Sequence, residues 1–208
     1  MDGTEFFNLP DAMGGLGPGS YVMTTQGELP VEWLEVGDRL ITRDHGAQPI
    51  QWIGRLRADN QLGVDLPNPV KLPVPNDGTS RQTDPLYLSP GHRVLLQSPL
   101  VAKHFGTTEA MCRIVDVSRR NRVRFQSVST RLIYHHLLLP VASLILVNGL
   151  WVETINATDC ERLDIPAVLR AQATQTRAPR MVLCPWEARL IRVLAAPEVN
   201  IRDLLQAA

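Results

Sequence analysis

Ser89 and His92 are the residues of this chain best placed to do chemistry. They stand three apart across a Pro90-Gly91 bend, within LYLSPGHRVLL at residues 86–96. Such a bend can bring a hydroxyl and an imidazole to one point. The hydroxyl, with a turn amide, can stabilise or orient a peptide group, and the imidazole, which titrates near neutral pH, can protonate a departing amide nitrogen. These are two of the three parts of an acyl transfer at a peptide bond; the third is a nucleophile. Taken alone, the pair is better explained as a serine capping a turn beside a satisfied strand-edge histidine. His135 and His136 suggest a metal pair, but neighbours on a strand point to opposite faces and cannot share one ion without distortion. Cys112, Cys160 and Cys184 form no CxxC pair and no zinc spacing. No metal and no cofactor is expected.

A second segment changes the weighing. Residues 15–54 read GLGPGSYVMTTQGELPVEWLEVGDRLITRDHGAQPIQWIG. Together, the two segments resemble the opening block and the Ser/Thr-x-x-His block of a Hint domain, the self-processing module of hedgehog proteins and inteins. The resemblance is to bacterial members, of alphaproteobacterial type, and covers roughly residues 15–195. In those relatives the opening block reads Cys-Phe-x-Pro-Gly-Thr. Here Gly15 stands where the nucleophilic cysteine belongs, and Ser20 matches the threonine.

The resemblance implies an N-to-S acyl shift as the ancestral reaction. A thiol attacks the preceding carbonyl, and a thioester replaces the peptide bond. It assigns Ser89 and His92 to the scissile amide. It places His136 at the first histidine of a Tyr-x-His-x5-His pattern, with Ala142 where the second belongs, ahead of the Asn148-Gly149 turn and Glu153-Thr154. Glycine has no atom to receive an acyl group, and Ser20 lies five residues along, at a different bond. Self-cleavage at Gly14–Gly15 is therefore expected to be lost or severely impaired, and Gly15→Cys, alone or with Ala142→His, is expected to restore some thiol-induced cleavage if His92 and Ser89 are still aimed at the bond. The alternative is a non-catalytic binding module whose old cleft holds its own N-terminal segment or a protein or peptide partner. A metal-dependent or hydrolytic enzyme using His92, His135 or His136 has the least support.

The elements that must position these residues read as β. Strand signals fall on Tyr21–Thr24, Val31–Leu34, Arg39–Thr42, Pro49–Leu56, Leu86–Gln97, Cys112–Val117, Val123–Val128 and Leu132–Val147, the last bent near Pro140. In VEWLEVGD, Val31 and Leu34 are expected inside, with Glu32 and Glu35 in water. Trp52 and Trp151 read as core aromatics and Glu153 as a strand-end carboxylate. Residues 76–85 read as a loop. Cys160–Ala173 and Pro185–Ala195 show helical spacing, with Pro185 at a helix start and Trp186, Leu190, Ile191 and Leu194 able to share a face. The fold class expected is mainly β: a compact Hint-type fold of short curled strands with pseudo-two-fold subdomains, plus a short C-terminal helical segment. The expected division is a leader at 1–14, the Hint domain at 15–155 and a partly helical extension at 156–208.

Composition agrees with one well-filled core: 208 residues, 44% hydrophobic, with 16 Pro and 14 Gly to punctuate turns. Lys plus Arg and Asp plus Glu are 21 each, which gives no field to favour nucleic acid or an acidic membrane surface. The cluster Arg119, Arg120, Arg122 and Arg124 reads as a solvated hairpin. No signal peptide and no membrane span is visible; LIYHHLLLPVASLILVNGL reads as buried strands. The few, odd cysteines fit a reducing compartment; the cytoplasm is favoured, and the location is otherwise left open by the sequence. Oligomeric state is left open by the sequence.

Overall fold

The computed structural model describes residues 13–57, 66–73, 85–118, 132–155, 163, 165–172, 180–195 and 199–205. Twelve strands and several short helices follow one another in these residues: β1 (Tyr21–Thr24), β2 (Gly27–Pro30), β3 (Arg39–Thr42), β4 (Gly46–Pro49), β5 (Trp52–Arg57), β6 (Val70–Leu72), β7 (Leu86–Leu88), β8 (Arg93–Gln97), α1 (Pro99–Phe105), β9 (Glu109–Arg113), α2 (Ile114–Val117), β10 (Ile133–Leu138), β11 (Leu144–Val147), β12 (Leu150–Glu153), α3 (Ala167–Gln172), α4 (Pro185–Leu194) and α5 (Ile201–Leu205).

All the strand ladders are antiparallel. The larger sheet runs β2-β1-β3-β11-β12-β8-β9, with β4 added on β3 and a further β1–β11 contact. The remaining strands pair as β5–β10 and β6–β7. Alternation sets the inward faces: Val22 and Thr24 in β1, Leu40 and Thr42 in β3. β8 and β9 are buried at every interior position, because the main core lies on one face and a small Leu95, Met111 and Leu144 cluster on the other. Asn148-Gly149 turns β11 into β12, with both residues at positive φ (47° and 76°), the requirement of a two-residue hairpin of type I′.

Most of the expected strands are present, with corrections. Val31–Trp33 is a 3-10 turn, following a hairpin in which Gly27–Pro30 takes the strand role; Val31 and Leu34 are nevertheless buried and Glu32 and Glu35 exposed. Cys112–Val117 is not one strand. β9 ends at Arg113, and Arg113 then holds Asp116 with Nε 2.7 Å from Oδ2 across the helical turn α2. The long 132–147 run splits into β10 and β11 around Pro140. α1, with Ser98 as its N-cap and Gly106 as a left-handed C-cap, was not anticipated. Pro185 does open α4, but the helix buries Ala188 and Ile191, while Trp186 is 65% exposed. The expected face is therefore rotated. Val123–Val128, the Arg119–Arg124 cluster, Cys160 and nearly all of the 76–85 loop lie outside the described residues.

α4 and α5 share the main core through Leu183, Ala188, Ile191, Ala195, Ile201, Leu204 and Leu205. Among the described residues no helix is long and apolar enough to cross a membrane.

Candidate functional site

Residues 13–17 run between β7 and β10 and stitch the two small ribbons together. Leu16 bridges both: its N–H donates to the His135 carbonyl (2.9 Å) and its carbonyl accepts from His135 N–H (2.8 Å), while on the other side it pairs with Leu88. Gly17 N–H donates to the Tyr87 carbonyl (2.8 Å). The order across this surface is thus β5, β10, the opening segment, β7, β6. The Ser20 hydroxyl donates to the Gly17 carbonyl (2.7 Å) and closes the Pro18-Gly19 turn. The Asn148 side chain grips the same turn, accepting from Tyr21 N–H (2.7 Å) and donating to the Gly19 carbonyl (3.1 Å).

Ser89 and His92 converge on the start of this segment. Gly15 N–H donates to His92 Nδ1 at 2.8 Å, so the imidazole sits on the amide nitrogen of the Gly14–Gly15 bond. Nδ1 presents its lone pair there, which leaves the ring proton on Nε2. The Glu153 backbone carbonyl lies on that far side and favours the protonated ring, though Nε2 makes no hydrogen bond of good geometry. Burial dominates and pushes the His92 pKa down to about 4. The ring is neutral at physiological pH.

Ser89 takes a different part from the one its chemistry suggests. Its hydroxyl donates to the Met13 carbonyl (2.7 Å) and its N–H to the Gly15 carbonyl (3.0 Å). It straddles the Gly14 carbonyl and orients the chain on both sides of it. Among the described residues nothing hydrogen-bonds to the Gly14 oxygen itself, so Ser89 in this state is a clamp and not an oxyanion hole.

His136 completes the group. A β-carbon on Gly15 would lie 3.3 Å from its Cε1. The ring is buried, Nε2 has no partner among the described residues, and its pKa is pushed down to about 3, by burial first and then by His92 and His135. His135, in the preceding position of β10, has its pKa lowered mainly by burial. A small cavity lies between Gly14, Ser89, Tyr134 and His136.

The structure therefore brings Gly15, Ser89, His92 and His136 together from three separate stretches of chain. Ala142 is buried in the β10–β11 connection. Glu153 ends β12 with its carboxylate 3.3 Å from Arg93 Nη1. Cys112 is fully buried in β9 and burial raises its thiol pKa, which removes it as a displaced nucleophile; Cys184 lies at the start of α4. Among the described residues no three His, Cys, Asp or Glu groups gather as metal ligands. Trp52 and Trp151 pack against core clusters, and Arg43 lies over Trp151, 5.6 Å from the ring centroid. Sequence reasoning missed Tyr134 and the grip of Asn148. Both fell inside quoted motifs, but their roles depend on contacts across the fold.

No curated protein matches the sequence at a significant level. A family model described as "Hint domain" matches residues 15–159, more than half of the chain and starting at the glycine that His92 holds. The chain belongs to the Hint-domain family.

Proposed function

We propose that this protein is a Hint module of bacterial type, related to hedgehog and intein autoprocessing domains, in which Gly15 replaces the nucleophilic cysteine and the Gly14–Gly15 bond is kept. Residues 15–155 are the module and the C-terminal part an extension packed on it. One observation carries the reading: Gly15 N–H is 2.8 Å from His92 Nδ1, so the junction is seated in the site while residue 15 offers no acceptor atom. Three further features support it. His92 meets the amide nitrogen, where a departing amine would need its proton. Ser89 fixes the peptide groups on either side. His136 stands beside the place a thiol would occupy. With glycine there, the first bond of an acyl shift cannot form, and the same contacts serve to hold.

The second reading, a binding module, is favoured in one form by the pairing of residues 15–17 with β7 and β10. The cleft's occupant is the chain's own opening segment. A partner peptide would have to displace it.

Intact mass tests the main reading. The purified protein, incubated with dithiothreitol or hydroxylamine, is expected to keep its full mass. Loss of residues 1–14 under thiol would overturn the reading, because it would require an acyl acceptor that Gly15 lacks.

A further inference from the structure

We infer that Tyr134 has closed over the place of the missing side chain, so that packing now demands glycine at position 15. This rests on the reading of Gly15 as the vacated nucleophile position, and adds a second lock to it.

The Leu16–His135 pair sets the register: Gly15 falls opposite His136, and Tyr134 lies on the diagonal. In a regular ladder, diagonal neighbours stand about 7–8 Å apart. Here a β-carbon on Gly15 would be 2.9 Å from Tyr134 Cβ, closer than real contacts come, and 3.1 Å from its Cγ, a tight one. The near end of a side chain cannot swing aside as a flexible tip does. Something in the backbone or in the ring's setting must move.

Neither side is free to move. The Tyr134 hydroxyl donates to the Pro67 carbonyl (2.7 Å), and the ring packs with Leu66 and Leu132. β10 below it is paired with β5 along all six residues. The opening segment is pinned through Met13, Gly15, Leu16 and Gly17 by the bonds described above. Gly14 provides a contrast. A methyl there would meet nothing nearer than His92 Nδ1 at 3.4 Å, an ordinary contact. A cysteine at 15 would bring a sulfur as well as the β-carbon. The simple expectation that Gly15→Cys restores cleavage is revised accordingly: the thiol has no seat until Tyr134 gives way.

Two alanine variants and one background test this. Gly14→Ala is expected to melt within about 2 °C of the parent, and Gly15→Ala roughly 5–10 °C lower, the cost of forcing the opening segment and Tyr134 apart. In a Tyr134→Gly background the penalty of Gly15→Ala is expected to fall by half or more. Gly15→Cys with dithiothreitol is expected to keep its full mass. The inference is overturned if Gly15→Ala is tolerated as well as Gly14→Ala, if its penalty is the same in both backgrounds, or if Gly15→Cys melts with the parent and sheds residues 1–14. A Gly15→Ala protein that fails to fold counts as the large penalty. Cleavage of the unaltered protein would instead sink the proposed function, whatever the alanine pair shows.

Discussion

The junction and the C-terminal clasp each fasten a distant stretch of chain to the same β core, by opposite means. The junction uses neutral groups: backbone pairs, the Ser89 hydroxyl and an uncharged His92. The clasp uses guanidinium groups. Arg180 makes two parallel bonds to Asp44 (2.6 and 2.7 Å) and a third from Nε to Glu109 (2.6 Å). Arg202, in α5, donates from Nη1 to the Asn148 carbonyl (2.9 Å) and from Nε to the Pro73 carbonyl. A fastening that only has to hold can be charged, provided every charge meets a partner. The junction instead buries imidazoles at a cost, and among the described residues His136 Nε2 goes unpartnered. A buried polar atom left so costs about 1–3 kcal/mol. Packing alone calls for no nitrogen there, whereas an acyl shift at residue 15 would use one.

Acid should separate the two regions most strongly. Burial holds His92 near a pKa of about 4 and His136 near about 3, both below the ordinary 6.5 of the unfolded chain. The unfolded state therefore binds the extra protons first as pH falls. The junction's stability is complete above pH ~6.5 and is lost on the way down toward ~4. For His92 alone the loss is on the order of 3 kcal/mol across that window. The expected result is a melting temperature that falls steeply between pH ~6.5 and ~4.5, and a shallower fall in His136→Leu, which removes one of the titrating rings. The clasp should persist through this range, since Arg180 holds the Asp44 carboxyl below the usual carboxylate pKa. A stability profile flat from neutral to pH ~4.5 would break the comparison, because neither imidazole could then be as buried as the structure has it.

Arg202 sharpens the contrast, because it is where the clasp reaches the junction. It is 2% exposed, and it bonds the carbonyl of Asn148, whose side chain in turn holds Gly19 and Tyr21. Replacing it with methionine keeps most of the stem but removes the donors. Bonds from a charged donor are worth about 1.5–3 kcal/mol. Arg202→Met is therefore expected to lose about 2–3 kcal/mol in urea unfolding, with faster amide exchange at Tyr21. Unchanged exchange at Tyr21 alongside a full loss of stability would show that α5 props the core without reaching the opening segment.

The sequence showed the strands and the site more readily than it showed how they meet. β1, β3, β8 and α4 were legible because period-two alternation, turn residues and Pro185 are local signals. Val31–Trp33 was not, since its apolar positions fit a strand and a 3-10 turn equally well, and the hairpin upstream decides between them. Nor was α1, a seven-residue helix whose only strong local marks are its caps. Gly15, Ser89, His92 and His136 were found through the family resemblance, and the fold does gather them. What Ser89 bonds to was beyond reach, because the Met13 and Gly15 carbonyls are 76 and 74 residues away and a motif names residue types, not lone pairs. Tyr134 shows the same limit. Glycine at 15 reads in sequence as a loss, and only the strand crossing turns it into a steric requirement.

Arg180 is the smallest of these tests and the one that asks whether the clasp is truly ionic. Its side chain is 11% exposed, and Asp44 and Glu109 are each about one-fifth exposed, so solvent weakens every pair. Glu109 would retain Arg43 at 2.7 Å after its loss. Bidentate geometry lifts the pair above an ordinary surface bridge, yet Arg180→Ala should lose only about 1–2 kcal/mol. Lys at 180 keeps the charge but not the planar fork, and should recover less than half of that. The gap between parent and Arg180→Ala in thermal melts should narrow at ~1 M salt, where screening reaches within a few ångströms. A gap indifferent to salt would mean that Arg180 holds the C-terminal segment through its packed stem, as the junction holds its own segment, without help from charge.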